Sequence, residues 1–132
     1  MKKKRVLVVD DELDMRTFIT TLLETNGYHP IIALNGEEGL QKARESRPLA
    51  IILDVMMPRQ GGVQMYRELK TDQELRDIPV IMLSAIAKKT FFHSQQMLNT
   101  YRGQEVPEPA AYIEKPPETE ELLRVLEQCV GC

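Results

Sequence analysis

Four positions in this 132-residue chain place polar side chains directly after strand-like apolar runs: Asp10-Asp11 after VLVV, Asp54 after AIIL, Ser84 after VIML and Lys115 after AYIE. If those runs lie side by side and parallel, three carboxylates, a hydroxyl and an ammonium meet at one edge of one sheet. Packed carboxylates repel and raise one another's pKa values, so without a counter-cation they tend to hold protons. A hard divalent metal with oxygen ligands relieves the repulsion, and Lys115 adds further positive charge. The chemistry that suits such a cluster is the joint binding of a divalent cation and a phosphoryl group. Each residue also has a plainer reading. Asp11 and Ser84 alone read as helix caps, and Lys115-Pro116 alone as a turn. What favours a site is the coincidence of all of them on strands 1, 3, 4 and 5.

The elements that must position these residues follow from periodicity. Strand-like and helix-like patterns alternate five times, the mark of an α/β domain built on a parallel sheet. The strands are expected at residues 5–10, 28–33, 49–54, 78–83 and 110–114. VLVV, AIIL and VIML are apolar at every position, as central strands covered by helices on both faces should be. The second strand contains Pro30, which cannot donate to an interior ladder and points to a sheet edge.

A first helix is expected from Glu12 to Asn26, burying Met15, Ile19, Leu22 and Leu23 and stopped by Gly27. Asn35-Gly36-Glu37-Glu38 has the pattern of a capping box, so a second helix starts there and buries Leu40 and Ala43. A third spans Gly62 to Thr71 with Val63, Tyr66 and Leu69 inward. Ala85 to Leu98 reads as a fourth helix, followed by a long polar connection over residues 99–109. A fifth begins near Glu118 and carries Leu122, Leu123, Leu126 and Val130.

Composition sets the class. A chain of this length with 42% hydrophobic residues forms one domain, expected here over residues 1–132, with residues 1–4 as a basic lead-in and 131–132 as a tail. The net charge of −3 argues against a nucleic-acid surface. Val6 to Val9 is too short for a signal-peptide core or a membrane span, so the Lys and Arg residues at positions 2–5 read as a solvated start, and a cytoplasmic location is expected. Cys129 and Cys132 form a Cys-x-x-Cys that follows a helix instead of opening one, unlike redox pairs that draw a low pKa from a helix N-terminus. They read as incidental tail cysteines in a reducing compartment.

Taken in order, these motifs resemble the receiver domain of two-component response regulators, in particular the single-domain chemotaxis-regulator type. Val-Val-Asp10-Asp11-Glu12 is similar to that family's acidic pair, Asp54-Val-Met-Met-Pro58 to its phosphoacceptor motif, Leu-Ser84-Ala85 to its switch hydroxyl, and Tyr112-Ile-Glu-Lys115-Pro116 to its aromatic and lysine. The resemblance covers nearly the whole chain. It implies a flavodoxin-like three-layer fold with five parallel strands in the order 2-1-3-4-5. It also implies roles. Asp54 would be the nucleophile that takes a phosphoryl group from a histidine kinase or phosphotransfer protein. Asp10, Asp11, Asp54 and the Met56 carbonyl would serve Mg²⁺, with Asp10 acting through coordinated water. Lys115, Ser84 and the Ala85 N–H would bind the phosphate, and Ser84 and Tyr112 would form the switch. A downstream protein would read the fourth helix, fifth strand and fifth helix. The domain would be no enzyme beyond its own phosphorylation and dephosphorylation, and would bind neither nucleic acid nor membrane.

The chain departs from the family pattern in three places. The stretch from Ser84 to Lys115 is longer than in minimal receivers. Gly61-Gly62 stands where Asp-Gly is common, a change expected to affect only the loop. Met56 and Ile86 are apolar where many relatives are polar, which predicts that a hydrolytic water is hindered and the phosphoryl group long-lived. Two other readings remain. A magnesium-dependent phosphatase of the haloacid dehalogenase type needs Asp-x-Asp on its first strand, where this chain has adjacent Asp10-Asp11. A receiver-like adaptor that is never phosphorylated would have no use for five filled site positions.

Overall fold

A strand that is apolar at every residue can satisfy its side chains only if both faces are covered, and three strands of this chain meet that condition. The structure, a computed structural model, describes residues 4–55, 61–85 and 107–130. Five strands, β1 (Arg5–Val9), β2 (His29–Ala33), β3 (Ala50–Asp54), β4 (Val80–Ser84) and β5 (Ala111–Glu114), form one sheet in the order β2-β1-β3-β4-β5. Every neighbouring pair is parallel, with Val9 opposite Leu53, Asp54 opposite Leu83 and Ser84 opposite Glu114, so the carboxyl ends finish close to level. This is the flavodoxin-like order expected from the sequence.

Four helices are described: α1 (Leu13–Thr25), α2 (Gly36–Ser46), α3 (Gly62–Thr71) and α4 (Thr119–Val130). Alternation along the strands divides the core in two. Leu7, Val9, Ile51, Leu53 and Met82 pack with Leu40, Ala43, Met65, Tyr66 and Leu69 of α2 and α3. Val6, Val8, Ile52, Ile81 and Leu83 pack with Ile19, Leu23, Leu122 and Leu126 of α1 and α4. Helices therefore cover both faces, giving three layers. On α3 the expected Tyr66 and Leu69 are buried with half-buried Val63 packed against the same core, and Met65 widens that face.

Local chemistry fixes the ends. The α1 chain is stopped at Gly27, whose φ of 85° is the left-handed conformation that glycine adopts without a Cβ penalty. Asn35 caps α2 by accepting the Glu38 N–H at 2.9 Å, a contact whose loss typically costs about 1 kcal/mol. The Glu38 carboxylate pairs with Lys42 at 3.0 Å. Fourth-strand pairing starts at Val80 and not at residue 78, because the Ile78 N–H is turned back to the Leu75 carbonyl and Pro79 has no N–H to give. The strand runs one residue further than expected and ends on Ser84 itself.

Pro30 lies on edge strand β2, as its missing donor required. His29 donates inward to Lys4 and Ala33 accepts inward from Asp10, so Pro30 and Ile32 turn their backbone groups outward by alternation. The outward Ile32 carbonyl is capped by Lys42. Proline and lysine thus blunt the edge against pairing with another strand. Among the described residues no helix is long and apolar enough to cross a membrane. The helix expected from Ala85 to Leu98, and residues 99–106 of the long connection, lie outside the described residues apart from Ala85.

Candidate functional site

Each strand delivers its polar residue to the same end of the sheet. Asp10 follows β1 and still donates its N–H to Ala33 at 3.1 Å, extending the ladder by one bond. Its Oδ1 accepts the Glu12 N–H at 2.9 Å, and its carbonyl accepts Arg16 Nη1 at 3.1 Å. These contacts orient Asp10 while its side chain is 1% exposed. Asp54 is the last residue of β3 and its side chain is 3% exposed. Asp11 is exposed. Ligand oxygens of Asp10, Asp11 and Asp54 all lie within 4.8 Å of one another.

Lys115 follows β5 and supplies the counter-charge. Its backbone N–H donates to the Ser84 carbonyl at 2.8 Å. Its Nζ stands 3.3 Å from Asp54 Oδ1 and 3.5 Å from Asp10 Oδ2. The peptide bond between Lys115 and Pro116 is cis. Burial works to lower the lysine pKa, but the charges of Asp54 and then Asp10, a hydrogen bond to Asp54, and Glu12 outweigh it and hold the ammonium above its ordinary value.

Ser84 is fully buried at the end of β4. Tyr112, half-buried on β5, shares a side-chain hydrogen bond with it. Burial raises the tyrosine pKa, the bond to Ser84 offsets part of that rise, and Glu114 adds to it. Ala85 follows at the exposed strand end. Six sequence-predicted side chains, Asp10, Asp11, Asp54, Ser84, Tyr112 and Lys115, are therefore gathered at one sheet edge. Met56, expected to offer its carbonyl, and Ile86 lie outside the described residues.

Two contributors escaped the sequence reading. Arg16 touches the Asp10 carbonyl from one turn inside α1, and a basic residue six positions after Asp10 was the signal for it. Gly62 opens α3 directly against the backbone of Asp54 and Val55. The adjacent glycines 61 and 62 at a helix start were its signal.

The donor set can hold a hard divalent cation. Three carboxylates face one ammonium, two of them buried, so the cluster carries excess negative charge from oxygen donors alone. The exposed Asp11 leaves a side open to water, which suits magnesium, an ion that keeps several of its waters.

Comparison with known proteins agrees with this geometry. The family model described as the response regulator receiver domain matches residues 6–127. The polar-differentiation response regulator DivK of Brucella anthropi is 44% identical over 89 residues, covering 67% of this chain and 72% of that protein. Chemotaxis protein CheY4 of Vibrio cholerae matches with a TM-score of 0.78 and 26% identity, covering 97% of this chain and 99% of that one. The receiver domain of sensor histidine kinase PA1611 from Pseudomonas aeruginosa PAO1, solved with magnesium coordinated in its active-site cleft, matches with a TM-score of 0.81 and 25% identity over 99% of this chain and all of that one. With the receiver model spanning nearly the whole chain and the sheet order matching that of its structural neighbours, the chain belongs to the response regulator receiver domains of two-component signalling.

Proposed function

We propose that the chain is a magnesium-dependent phosphoacceptor that takes a phosphoryl group onto Asp54 from a histidine kinase or phosphotransfer protein and changes its surface for an output partner. The observation that carries this is the placement of buried Asp54 against Lys115 at 3.3 Å, with Asp10 and Asp11 oxygens within 4.8 Å. An isolated carboxylate in that position would be protonated or inert. The neighbouring ammonium favours its charged form, the form that acts as a nucleophile.

An Asp54 oxygen attacks the phosphorus of a phosphohistidine, the new O–P bond forms, and the P–N bond breaks with its electron pair returning to the imidazole nitrogen. In this reading Lys115 neutralises charge on the phosphoryl oxygens, and Ser84 with the Ala85 N–H donates hydrogen bonds to them. Asp11, Asp54 and the Met56 carbonyl, with Asp10 through water, would hold the magnesium ion, whose chemistry when bound would be further positive charge for the phosphoryl group. The protein's part is positioning and electrostatics, which is most of what phosphoryl transfer requires.

Ser84 already shares a hydrogen bond with Tyr112. Drawing the hydroxyl toward a phosphate exchanges that bond for one to a charged group, about 1.5–3 kcal/mol, enough to shift a two-state equilibrium roughly 10- to 150-fold. Tyr112 is the side chain that responds, and β5, α4 and the segment after Ala85 form the surface read by the partner. The domain works in the cytoplasm, without binding nucleic acid or membrane, and is a signalling acceptor, not an enzyme acting on other substrates. Apolar Met56 and Ile86 lengthen the life of the phosphoryl group. The test is incubation with acetyl phosphate and Mg²⁺ followed by intact mass, comparing the wild type with Asp54→Asn. An acid-stable, base-labile adduct that needs Asp54 is expected; its absence overturns the reading, and rapid loss of label overturns the long lifetime.

A further inference from the structure

Helix α3 starts unusually close to the residue it follows in space. A Cβ built on Gly62 would lie 2.3 Å from the Asp54 carbonyl oxygen, 2.7 Å from Val55 Cα and 3.1 Å from the Asp54 carbonyl carbon. Ordinary contacts between such atoms are about 3.5–4.0 Å. All three obstacles are backbone, so no rotamer change makes room. The Gly62 N–H also donates to the Val55 carbonyl at 3.2 Å, which closes the loop onto the strand end. The contrast with Gly39 is instructive: a Cβ there meets the Met65 side-chain end at 2.7 Å, and a flexible thioether can move aside.

The strand end cannot move freely either. Val55 donates to the Leu83 carbonyl at 3.0 Å, and its side chain is buried with Leu53, Met65 and Tyr66. A side chain at position 62 must therefore push either α3 off its packed face or the Asp54–Val55 peptide out of line. Asp54 sits at that peptide, and its carboxylate is held 3.3 Å from Lys115.

We propose that Gly62 is a positioning residue for Asp54: the missing side chain lets α3 begin against the Asp54–Val55 peptide and so sets where the carboxylate stands relative to Lys115, Asp10 and Asp11. The proposal rests on the phosphoacceptor reading given above and deepens it. Gly61, one residue earlier, has φ −69° and ψ 164°, an extended conformation open to alanine. It serves as the neighbouring control.

The experiment compares wild type, Gly62→Ala, Gly61→Ala, Asp54→Asn and the Asp54→Asn/Gly62→Ala double variant. Three quantities are read: the rate of Asp54 phosphorylation by acetyl phosphate, Mg²⁺ affinity by calorimetry, and thermal unfolding. A displacement of the order of 1 Å at a reacting group costs about 100-fold in rate, and that is the expected loss in Gly62→Ala, with Mg²⁺ binding weakened at least about tenfold. Gly61→Ala is expected to match wild type. If Gly62 acts through Asp54, adding Gly62→Ala to Asp54→Asn weakens Mg²⁺ binding little further, a non-additivity that loss of stability alone does not produce. A wild-type phosphorylation rate in Gly62→Ala, or equal loss of Mg²⁺ affinity in both backgrounds, overturns the proposal. Should Gly62→Ala unfold, the same measurements are made in trimethylamine N-oxide, which favours the compact state, with the same deciding outcomes. Wild type that takes no phosphoryl group overturns the function instead, while the metal titrations still decide the role of Gly62.

Discussion

Lys115 Nζ stands 3.3 Å from Asp54 Oδ1 although the two residues leave strands β5 and β3, which are separated in the sheet by β4. The lysine crosses that gap with its backbone N–H anchored to Ser84, the last residue of the intervening strand. Its charge is thereby aimed at the site by the strand end that carries the buried Ser84 hydroxyl. Only 16% of the lysine side chain is exposed, so the pair is much less screened than a surface ion pair.

Replacing Lys115 with methionine keeps the apolar stem and removes the charge. Phosphorylation by acetyl phosphate is expected to slow about 100- to 1,000-fold, the range for losing one preorganised electrostatic donor. The raised lysine pKa means that its contribution to stability is complete below the unfolded lysine value, about 10.4, and is lost as pH rises through the folded value above it. Between pH 6 and 9, roughly, the stability difference between wild type and Lys115→Met should therefore be flat with respect to lysine titration. Urea unfolding across that range measures it; a wild-type phosphorylation rate in the variant would remove Lys115 from the mechanism.

The strand ends were legible because burial on both faces leaves a continuous apolar run and the first polar residue after it marks the edge of the sheet. Pro30 was enough to put β2 outside. The register that levels Asp54 with Leu83 and Ser84 with Glu114 was not legible, since nothing local in either strand specifies its partner. The α3 face was legible in Val63, Tyr66 and Leu69, all of which pack in the core, but Met65 was not, because the helical period does not show how wide a face β1 and β3 cover. Gly62 was legible as the start of the third helix but its constraint was not, because that is a backbone approach from Asp54, eight positions away in the sequence. The Tyr66 hydroxyl gave no sign of its use, because its acceptor, the Pro107 carbonyl, lies 41 positions further on.

Magnesium should stabilise the fold by mass action. At a concentration 100 times its dissociation constant, a ligand that binds only the native state adds about 2.7 kcal/mol. Thermal unfolding with Mg²⁺ and again after chelation checks this. Asp11→Asn should abolish the Mg²⁺-dependent increment while barely changing stability without metal, because Asp11 is exposed. Asp10→Asn should lower both, since buried Asp10 holds the Glu12 N–H and faces Lys115. Equal metal-dependent shifts in all three proteins would rule out the acidic cluster as the binding site.

Ser84→Ala separates transfer from switching. The hydroxyl is buried and bonded to Tyr112, so its removal is expected to cost about 1 kcal/mol in the unphosphorylated protein. Asp54 and Lys115 remain, so phosphorylation should persist at a reduced rate. The Tyr112 ring resonances should then move less on phosphorylation than they do in wild type. An unreduced Tyr112 response in Ser84→Ala would show that the signal leaves the site by another route.

Tyr66 offers a test that stands apart from phosphorylation. Its ring is buried on α3 in the cluster with Leu53, Val55 and Met82, and its hydroxyl donates to the Pro107 carbonyl in the approach to β5. Tyr66→Phe keeps the ring and deletes only that bond, so the cost should be about 0.5–1.5 kcal/mol, the usual net value of one hydrogen bond. Burial, and after it the charge of Glu108, raises the hydroxyl pKa well above the ordinary tyrosine value. The unfolded chain therefore loses this proton first as pH rises, and the contribution of Tyr66 to stability is complete below about pH 10 and declines above it. Tyr28 and Tyr112 are raised as well, so the alkaline slope of wild-type stability has more than one source. Tyr66→Phe should reduce that slope without abolishing it, which urea unfolding of both proteins across the alkaline range measures. A variant with the stability and the alkaline slope of wild type would mean that the Tyr66 hydroxyl is not held by Pro107, and that α3 and the entry to β5 are joined only by packing.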